Sequence, residues 1–573
     1  MYSFLNKATQ NIFEETVKNL TQKEILFVMP AFYPQRGGIL QDAVKCGGNA
    51  IIAGGAPQQQ LFEGISQYSP GYDTTGISET PKEIYQIVKA IPNEVLRGKD
   101  IALFVEAPVA HHWSNNMRIK KANIVLSNEQ NLRSFFEEKT NLAKVLQEAG
   151  LKDCLIPSEV VISENLSSQD MFELYERYKG QSGKVVLQSC GAENVESGGG
   201  KGTSIVKDYD DFCQTIVQHT GHVKVAKFID GYCSNVSMFV GNTKANGQSG
   251  VEKCELSSED DPFSEKTLDI LLAKGQEKGI TDKNILVLAT RGTLKAVGDK
   301  NLTGSSSNGV GNALGHNFPQ EINDKIYEIA QKLGHLMGKC GKVGLCGADL
   351  MIDADNHVWI NEVNDRQQGP TEQLSLDAEN ADLVGVHRLA FIANYADCSQ
   401  PKVQQLFYRL QQVSRQMYEK SLQSDGSFYI KMMGKQSGKA VSQIDLTSGI
   451  YAVKKDNKGQ WHWDFSKKYA SAPSVDLNKD TIYLKLSGIS LHKGQDVPSG
   501  AQILRIVGKT QNGSSPFQIK SGKVSLNQDW LPITDGLYGS IFGEQYNRQF
   551  SMDKNPAQIQ NNIMMRKLKN GRI

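Results

Sequence analysis

The sequence lacks long hydrophobic segments, a strong net charge and paired cysteine motifs. No apolar run approaches the ~18 residues that a membrane-spanning helix needs. Residues 1–30 also lack the cationic start and apolar core of a signal peptide, so we expect neither a membrane span nor a secretory leader. The net charge is +1, which gives no overall field to attract nucleic acid or a membrane surface.

The nine cysteines are scattered, odd in number and never spaced as C-x-x-C. This pattern favours reduced thiols, and we therefore expect a cytoplasmic protein. What is present is the composition of an ordinary soluble enzyme, with 573 residues, 39% of them hydrophobic and 22% charged. Because a single core stops growing near roughly 250–300 residues, the chain should contain several domains.

Residues 341–371 carry the strongest pattern in the chain. Two short apolar runs flank the polar, turn-forming residues 353–356, which predicts a β-hairpin. Side chains alternate along a strand, so Glu362 and Asn364 share a face, and the hairpin can fold that face against Asp349. These three residues would form a cage of oxygen ligands. Mg²⁺ or Mn²⁺ prefers such ligands and keeps waters that the phosphates of a nucleotide can displace.

Arg366 follows Asn364 by two residues and falls on the same face if the strand continues. Its planar guanidinium suits a phosphoryl group in transfer. The alternative is a surface hairpin with an acidic turn. Asp349 and Glu362 argue against that alternative, because they interrupt apolar runs where an uncompensated charge is costly.

Upstream of the hairpin, a glycine-rich loop joins two predicted strands. It contains Gly199, Gly200 and Lys201. Clustered glycines let backbone N–H groups turn toward a phosphate, and Lys201 adds a point charge. A flexible linker is the alternative, because the spacing of a P-loop is absent.

The N-terminal part of the chain alternates predicted strands and helices, which indicates an α/β domain. The strands are predicted at residues 24–30, 50–53 and 101–106, and helices are predicted from Pro81 and over residues 128–149. After residue 399 a helical pattern leads to short alternating strands, which predicts a β-rich C-terminal domain.

The hairpin pattern G-x-D-x-x-x-D, followed by apolar-N-E-V-N-x-R, resembles the metal-binding hairpin of the ATP-grasp superfamily, which includes carboxylate-amine ligases and biotin carboxylase. The glycine-rich loop is similar to the mobile lid of that family. The resemblance implies an α/β (α+β) chain with the ATP-grasp fold, a Rossmann-like N-terminal domain and a β-rich C-terminal domain. We assign these domains to residues 1–127, 128–398 and 399–573, with a lid subdomain at about 155–240.

The resemblance also implies roles for individual residues. Asp349, Glu362 and Asn364 would hold two Mg²⁺ ions, and Arg366 would steady the transferred phosphate. Lys139 would reach an ATP phosphate, with a solvated lysine as the alternative. Family members usually carry a lysine where this chain has Gln188, and Lys184 or Lys201 is expected to compensate.

Adenine is held in that family by a glutamate and by backbone groups just before a bend. Ala226 and Lys227 stand at this place, so backbone recognition around Lys227, Phe228 and Ile229 is expected instead. Arg291 and Asn312 lie where the family often contacts the carboxylate substrate or the γ-phosphate, and a plain loop is the alternative there.

The resemblance implies an ADP-forming ligase that activates a carboxylate as an acyl phosphate and joins it to an amine. Its substrates would be small carboxylates and amines such as amino acids or peptides, with ATP and Mg²⁺ as cofactors. Whether the protein forms a homodimer is left open. Two alternatives remain, namely bicarbonate activation as in biotin carboxylase and a regulatory protein that binds ATP without chemistry.

Overall fold

A computed structural model gives the structure of the protein. It describes residues 25–30, 40, 44, 48–54, 65–71, 81–103, 107–127, 132–191, 202–219, 221–242, 266–366, 368–371, 401–423, 426–435, 439–470, 475–498, 500, 502–510 and 515–543. Within these ranges, none of the helices has the length and apolar character needed to cross a membrane.

The first sheet has five parallel strands in the order β3-β2-β1-β4-β5. They are β1 (Leu26–Pro30), β2 (Asn49–Ala53), β3 (Ser66–Tyr68), β4 (Asp100–Leu103) and β5 (Asn123–Ser127). The helices α1 (Pro81–Ala90), α2 (Asn93–Leu96) and α3 (Ala107–Ile119) belong to the same unit. Ile84, Ile87 and Val88 lie at helical spacing on α1 and are buried in the core of this sheet. These elements agree with the α/β pattern predicted for the N-terminal part of the chain.

The single helix predicted over residues 128–149 is wrong, because the structure contains two helices there. They are α4 (Leu132–Glu137) and α5 (Leu142–Glu148). In the break, the Glu138 carboxylate accepts the Thr140 N–H at 3.0 Å, and the Asn141 amide donates to the Phe135 carbonyl at 3.1 Å. Such side-chain bonds to the backbone compete with helical hydrogen bonds. Lys139 therefore lies in a turn and not on a helix face.

The second sheet, which we call the lid sheet, is antiparallel in the order β6-β9-β7-β8. Its strands are β6 (Ser158–Ile162), β7 (Val185–Ser189), β8 (Thr203–Val206) and β9 (His222–Lys227). The helices α6 (Ser168–Tyr178) and α7 (Tyr209–Ile216) cover one face, where Val223 and Val225 of β9 are buried with Phe212. Because side chains alternate along a strand, Lys224 and Ala226 point to the opposite face.

The central sheet is antiparallel and has 11 strands in the order β15-β14-β10-β12-β13-β16-β22-β20-β18-β19, with β11 paired to β10. The strands before residue 400 are β10 (Gly231–Asn242), β11 (Ile285–Ala289), β12 (Thr293–Val297), β13 (Gly309–Ala313), β14 (Gly344–Asp353) and β15 (Val358–Asn364). Those after it are β16 (Ser427–Met433), β18 (Leu446–Lys455), β19 (Trp461–Asp464), β20 (Thr481–Leu491) and β22 (Gln502–Lys509). Two short pairs stand apart, β17 (Lys439–Val441) with β21 (Asp496–Pro498), and β23 (Phe517–Lys520) with β24 (Lys523–Leu526).

The other helices in the described part of the chain are α8 (Thr267–Glu277), α9 (Gln320–Lys339), α10 (Pro401–Ser421) and α11 (Leu531–Phe542), with single 3₁₀ turns at Lys152–Cys154, Ser163–Asn165, Asp282–Asn284 and Gln528–Trp530. Helix α9 buries Ile322, Ile326, Ile329, Leu333 and Leu336, the apolar stripe that the sequence spacing indicates.

The strands predicted after residue 399 hydrogen-bond directly to the part of the sheet that contains the hairpin. β13 pairs with β16, which places Asn312 opposite Tyr429, and β16 pairs with β22. Side chains at opposite positions of an antiparallel pair share a face of the sheet. The C-terminal strands therefore contribute side chains to the same face as the hairpin.

Candidate functional site

The predicted hairpin is formed by β14 and β15, and its register brings the carboxylates together. Asp349 lies opposite Glu362, and Gly347 lies opposite Asn364. The register shifts next to this pair, because Leu350 is paired with Ile360 and Asn361 has no opposite residue. A bulge of this kind turns the following side chains. Here it places Glu362 on the face of Asp349.

The turn of the hairpin is built on Asp353. Its carboxylate accepts the N–H groups of Asp355 at 3.0 Å and His357 at 2.9 Å, and the indole N–H of Trp359 at 2.8 Å. Asn356 has φ +64°, a conformation that asparagine tolerates well. Asp353 and Asp355 are thus turn residues, as the sequence indicates.

Asp349 is 7% exposed, and its environment is strongly charged. Burial raises its pKa to about 6 even though the Lys295 ammonium forms an ion pair with it. Burial acts in the same direction on Glu362, but the hydrogen bond with Asp349 and the charge of Lys295 outweigh it and lower the pKa of Glu362. Two facing carboxylates with opposite pKa shifts are typical of a site that shares a proton or holds a cation.

Gln368 supports Asp349 from a second side. Its amide donates to Asp349 Oδ1 at 3.4 Å and accepts from the Ser237 hydroxyl at 3.2 Å. A Cβ atom at Gly347 would lie 2.1 Å from the Gln368 amide oxygen, so only glycine permits this contact. The glycine of the G-x-D pattern is therefore required by packing next to the carboxylate.

The residues Asp349, Glu362 and Asn364 fit a hard divalent cation. Two are adjacent carboxylates and the third is a buried amide, which is the donor set that Mg²⁺ takes from proteins. Among the described residues no group of three His, Cys, Asp or Glu side chains gathers as a metal site. Their role as metal ligands stays a prediction.

Arg366 lies beyond the end of β15, so the alternation that would aim it alongside Asn364 is interrupted. The intervening Asp365 is 2% exposed and forms an ion pair with Lys342, three residues after α9. The Arg366 guanidinium forms an ion pair with Glu137 at the end of α4. Its charge still contributes to the lowered pKa of Glu362, so it remains beside the carboxylates.

Three cations lie along the same face of the central sheet. Lys295 is opposite Asn312, which is opposite Tyr429, and Lys431 follows Tyr429 by two residues. Lys431 is in turn opposite Arg505 of β22. We call Lys295, Lys431 and Arg505 the cation row.

The members of the cation row lie close enough to affect one another's charge. Burial lowers the pKa of Lys431 to about 7, and the charges of Arg505 and Lys295 act in the same direction. The Arg505 guanidinium lies 5.3 Å from the centre of the Tyr429 ring. Sequence reasoning missed this row, although a lysine or arginine within the apolar strands F-Y-I-K-M-M and I-L-R-I-V is a signal that could have identified it.

Arg291 is predicted as a catalytic residue, and the structure shows which backbone groups its side chain contacts. It is 2% exposed, and its guanidinium donates to the carbonyls of Ser421 and Leu422 at 3.2 Å and of His316 at 2.6 Å. The first two carbonyls lie at the C-terminal end of α10, where a cation is favourable. Arg291 therefore holds α10 to the sheet.

Asn312, predicted to contact the carboxylate substrate or the γ-phosphate, forms hydrogen bonds within the central sheet. Its amide nitrogen donates to Asn235 at 3.2 Å and to Thr293 at 2.7 Å, and its oxygen accepts the Tyr429 hydroxyl at 2.5 Å. With 1% exposure and both polar atoms engaged, Asn312 stabilises the sheet beneath the cation row.

On the lid sheet, Lys184 and the residues predicted near adenine have varied roles. The Lys184 ammonium lies 5.0 Å from the centre of the Phe228 ring. The Lys227 side chain is exposed, and its N–H is already donated to the Pro157 carbonyl at 2.9 Å. Ile229 is buried with Ile156 and Ala226, and Val186, Met351 and Trp359 pack against them. We call these six residues the interface cluster, because they join the lid sheet to the hairpin.

The charge of Lys139 lowers the pKa of Glu362, which indicates that Lys139 lies near the carboxylates. It also acts on Lys224, a buried lysine that sequence reasoning missed. Gly199, Gly200 and Lys201 lie outside the described residues, so the lid stays a prediction.

Neither a protein-family model nor a curated protein sequence matches the chain. Several solved structures do. A biotin carboxylase–β-γ-ATP complex from Campylobacter jejuni is 11% identical, with 92% of this chain and 99% of that chain covered and a TM-score of 0.51. This chain has the ATP-grasp fold. The ATP-grasp assignment confirms the predicted fold class.

Two further structures are similar at lower scores. The biotin carboxylase domain dimer of Hydrogenobacter thermophilus 2-oxoglutarate carboxylase, in complex with MgADP, ADP and bicarbonate, is 10% identical, with coverages of 84% of this chain and 86% of that chain and a TM-score of 0.47. An N5-carboxyaminoimidazole synthetase from Staphylococcus aureus complexed with ADP is 12% identical, with coverages of 85% and 93% and a TM-score of 0.42. At these identities the likeness concerns the ATP-grasp fold alone.

Proposed function

We propose that the protein is an ADP-forming ligase that activates a carboxylate with ATP and transfers the acyl group to an amine. The observation that carries the proposal is the single sheet face on which the carboxylates Asp349 and Glu362 adjoin the cation row. An acidic pair suits the metal that accompanies a nucleotide, and a cation row suits an anionic substrate.

The reaction has two steps. An oxygen of the substrate carboxylate attacks the γ-phosphorus of ATP, the bond from that phosphorus to the bridging oxygen breaks, and ADP leaves with the electron pair. The amine nitrogen then attacks the acyl carbon and loses a proton to solvent, while the carbon–oxygen bond breaks and phosphate leaves. Phosphorylation is needed because hydroxide is too poor a leaving group for an amine to displace.

Each group of residues has a separate task in this proposal. Lys431 and Arg505 would bind and orient the substrate carboxylate, and Lys295 would lie between it and the acidic pair. Arg366, held beside the site by Glu137, would steady the transferred phosphoryl group. Lys201 with its neighbouring glycines would close over the phosphates and exclude water.

Asp349, Glu362 and Asn364 would hold Mg²⁺, or Mn²⁺ in its place. When bound, the metal offsets the charge of the nucleotide phosphates. The biotin carboxylase of Campylobacter jejuni, which has a similar fold, was solved as a β-γ-ATP complex, and this supports a nucleotide as the ligand here.

The test is ADP release measured in the presence of Mg²⁺ over a panel of amino acids, dipeptides and other small carboxylates, with and without an amine. We expect ADP and phosphate to form only when a carboxylate is present, and an amide product when an amine is added. AMP and pyrophosphate would instead mean adenylation and contradict the acyl phosphate. ATP consumption independent of every carboxylate would contradict the ligase.

Bicarbonate activation is the second candidate, because the cation row can also hold a small inorganic anion. Bicarbonate therefore belongs in the same panel. ADP release that requires bicarbonate, without any response to organic carboxylates, would replace the carboxylate-amine ligase with this second function.

A further inference from the structure

Lys224 and Gln188 form a buried polar pair on the lid sheet. They lie directly opposite each other on β9 and β7, and they are 2% and 3% exposed. Val223 and Val225, their neighbours on β9, point into the core under α6 and α7. The pair therefore belongs to the opposite face, which is the face of the lid sheet that meets the hairpin.

The polar atoms of this pair are poorly satisfied within the described part of the chain. There the Gln188 carbonyl oxygen has no hydrogen-bond partner, and the Lys224 ammonium forms neither a hydrogen bond nor an ion pair with any described residue. Burial lowers the pKa of Lys224 to about 8, and the charge of Lys139 acts in the same direction. A buried ammonium and a buried amide oxygen without partners are costly, so both are expected to meet a ligand.

The charges around Lys224 indicate where that ligand lies. Glu362 of the hairpin and Glu138 in the turn after α4 both act to raise the pKa of Lys224. The ammonium is thus close enough to the acidic pair to interact with it across the two sheets. An anion with a bound metal cation could occupy this region, where the anion would contact Lys224 and the cation would contact the acidic pair.

The neighbouring positions on the same face are apolar. Ala226 follows Lys224 by two residues, and Val186 precedes Gln188 by two, so each is about 7 Å further along its strand. Both belong to the interface cluster with Met351 and Trp359. The order along this face is apolar surface, then ammonium and amide, then carboxylates. A nucleoside triphosphate has the same order of base, phosphates and bound metal.

Resting on the function proposed above, we infer that Lys224 is the cation that binds the phosphates of the nucleotide, and that the Gln188 amide binds beside it. The positive charge comes from β9, at the position opposite the one where the family resemblance led us to expect a lysine. Lys184 is unsuited to the role because it lies at the other end of β7 and contacts Phe228.

The experiment measures the affinity for a non-hydrolysable ATP analogue with Mg²⁺ by calorimetry, and the affinity for adenosine by ligand-observed NMR. In Lys224→Met we expect ATP-analogue affinity to fall about 30-fold and adenosine affinity to change less than about twofold, since only the phosphates lose a charged partner. Lys207→Met removes an exposed lysine next to β8 and is the matched control, with both affinities unchanged.

The variant that exchanges the pair, Gln188→Lys with Lys224→Gln, keeps the charge and moves it to the opposite strand. We expect its ATP-analogue affinity to lie within about fivefold of the wild-type value, because opposite side chains lie only ~5 Å apart. A merely structural lysine would not be rescued in this way. If Lys224→Met does not fold, the exchanged variant carries the test alone, and a loss above about 30-fold overturns the inference.

The outcomes separate this inference from the proposed function. If the wild-type protein binds the analogue and Lys224→Met binds it equally well, the inference is wrong and the proposed function stands. An equal loss of adenosine and ATP-analogue affinity would also overturn it, because the lysine would then support the fold of the lid sheet. If the wild-type protein does not bind the analogue, the proposed function fails and the inference fails with it.

Discussion

The acidic and basic halves of the candidate site are assembled in different ways. The acidic half consists of Asp349, Glu362 and Asn364, which lie on consecutive strands joined by one short turn. The basic half consists of Lys224 and the cation row, which come from β9, β12, β16 and β22. One half is local in sequence, and the other spans residues 224–505.

This difference explains which half of the site can be recognised from a sequence motif. A hairpin fixes its own register, so the spacing of Asp349 and Glu362 already determines that they face each other. The basic residues meet only because distant strands pair in one sheet or in two facing sheets. A basic residue on a distant strand can therefore reach the site without leaving a local sequence motif.

The largest expected effect is that of Glu362→Gln in the acidic half. The substitution keeps the size of the side chain and removes a negative charge that faces Asp349. A metal-binding role predicts a loss of at least ~100-fold in ATP turnover, about 2.7 kcal/mol, with partial recovery at high Mn²⁺. The melting temperature without ligand should fall only modestly, because Glu362 loses the charge that its cationic neighbours stabilise while its repulsion toward Asp349 also disappears.

Asp355→Asn is the matched control for Glu362→Gln. Asp355 is exposed in the turn of the same hairpin, where only its backbone N–H donates to Asp353. Turnover and melting temperature should stay at wild-type values. Equal losses in the two variants would mean that the hairpin acts only as a folding element and that the metal assignment is wrong.

Sequence reasoning predicted the hairpin, the strand–helix order and the apolar stripe of α9, because local periodicity determines each of them. It could not predict the bulge at Asn361, which depends on how β14 and β15 pair over their full length. It also assigned Arg291 and Asn312 to the site from their place in the chain, whereas the first binds the end of α10 and the second joins β13 to β10, β12 and β16. Both depend on contacts with partners 19 to 131 residues away along the chain.

The basic half was missed for a related reason. The pattern after residue 399 predicted strands correctly but could not tell that β16 would pair with β13. Without that pairing, Lys431 and Arg505 belong to a different unit from Asp349. For Gln188 the sequence suggested lysines close in the chain, whereas the cation lies on a strand that follows 36 residues later.

Arg291→Met tests whether Arg291 belongs to the basic half of the site. The guanidinium holds the carbonyls of Ser421, Leu422 and His316 in a buried environment, so its loss should lower the free energy of unfolding by about 2 kcal/mol. KM for ATP and for the carboxylate should change less than about twofold, because the guanidinium is directed at these backbone carbonyls. Denaturant unfolding and steady-state kinetics check the two parts. A selective loss of kcat at unchanged stability would restore Arg291 to the site.

Lys431→Met removes one member of the cation row. The expected result is an increase of about tenfold in KM for the carboxylate substrate, about 1.4 kcal/mol, with KM for ATP unchanged. Lys454→Met is the control, because Lys454 lies on β18, two strands beyond Arg505 in the sheet, and forms an ion pair with Asp464. An unchanged KM for the carboxylate would mean that the cation row does not bind the substrate, and only the acidic half would remain as a candidate site.

The smallest expected effect is a pH dependence of KM for the carboxylate, which we assign to the basic half of the site. Lys431 has a pKa lowered to about 7 by burial and by the charges of Arg505 and Lys295, while Asp349 opposes the shift. Below pH 7 the ammonium is charged and attracts a carboxylate, and above pH 7 it becomes neutral in the free protein. KM for the carboxylate should therefore rise about threefold to fivefold between pH 6.5 and 8.

Lys431→Arg provides the comparison, because a guanidinium stays charged across this range. Its carboxylate KM should be nearly constant with pH, although Lys295 and Asp349 remain in place on the same face. Lys295 keeps its charge because Asp349 and Glu362 outweigh burial and raise its pKa. If the arginine variant shows the same rise in KM as the wild-type protein, the titrating group is not Lys431, and the pH response would have to come from the acidic half.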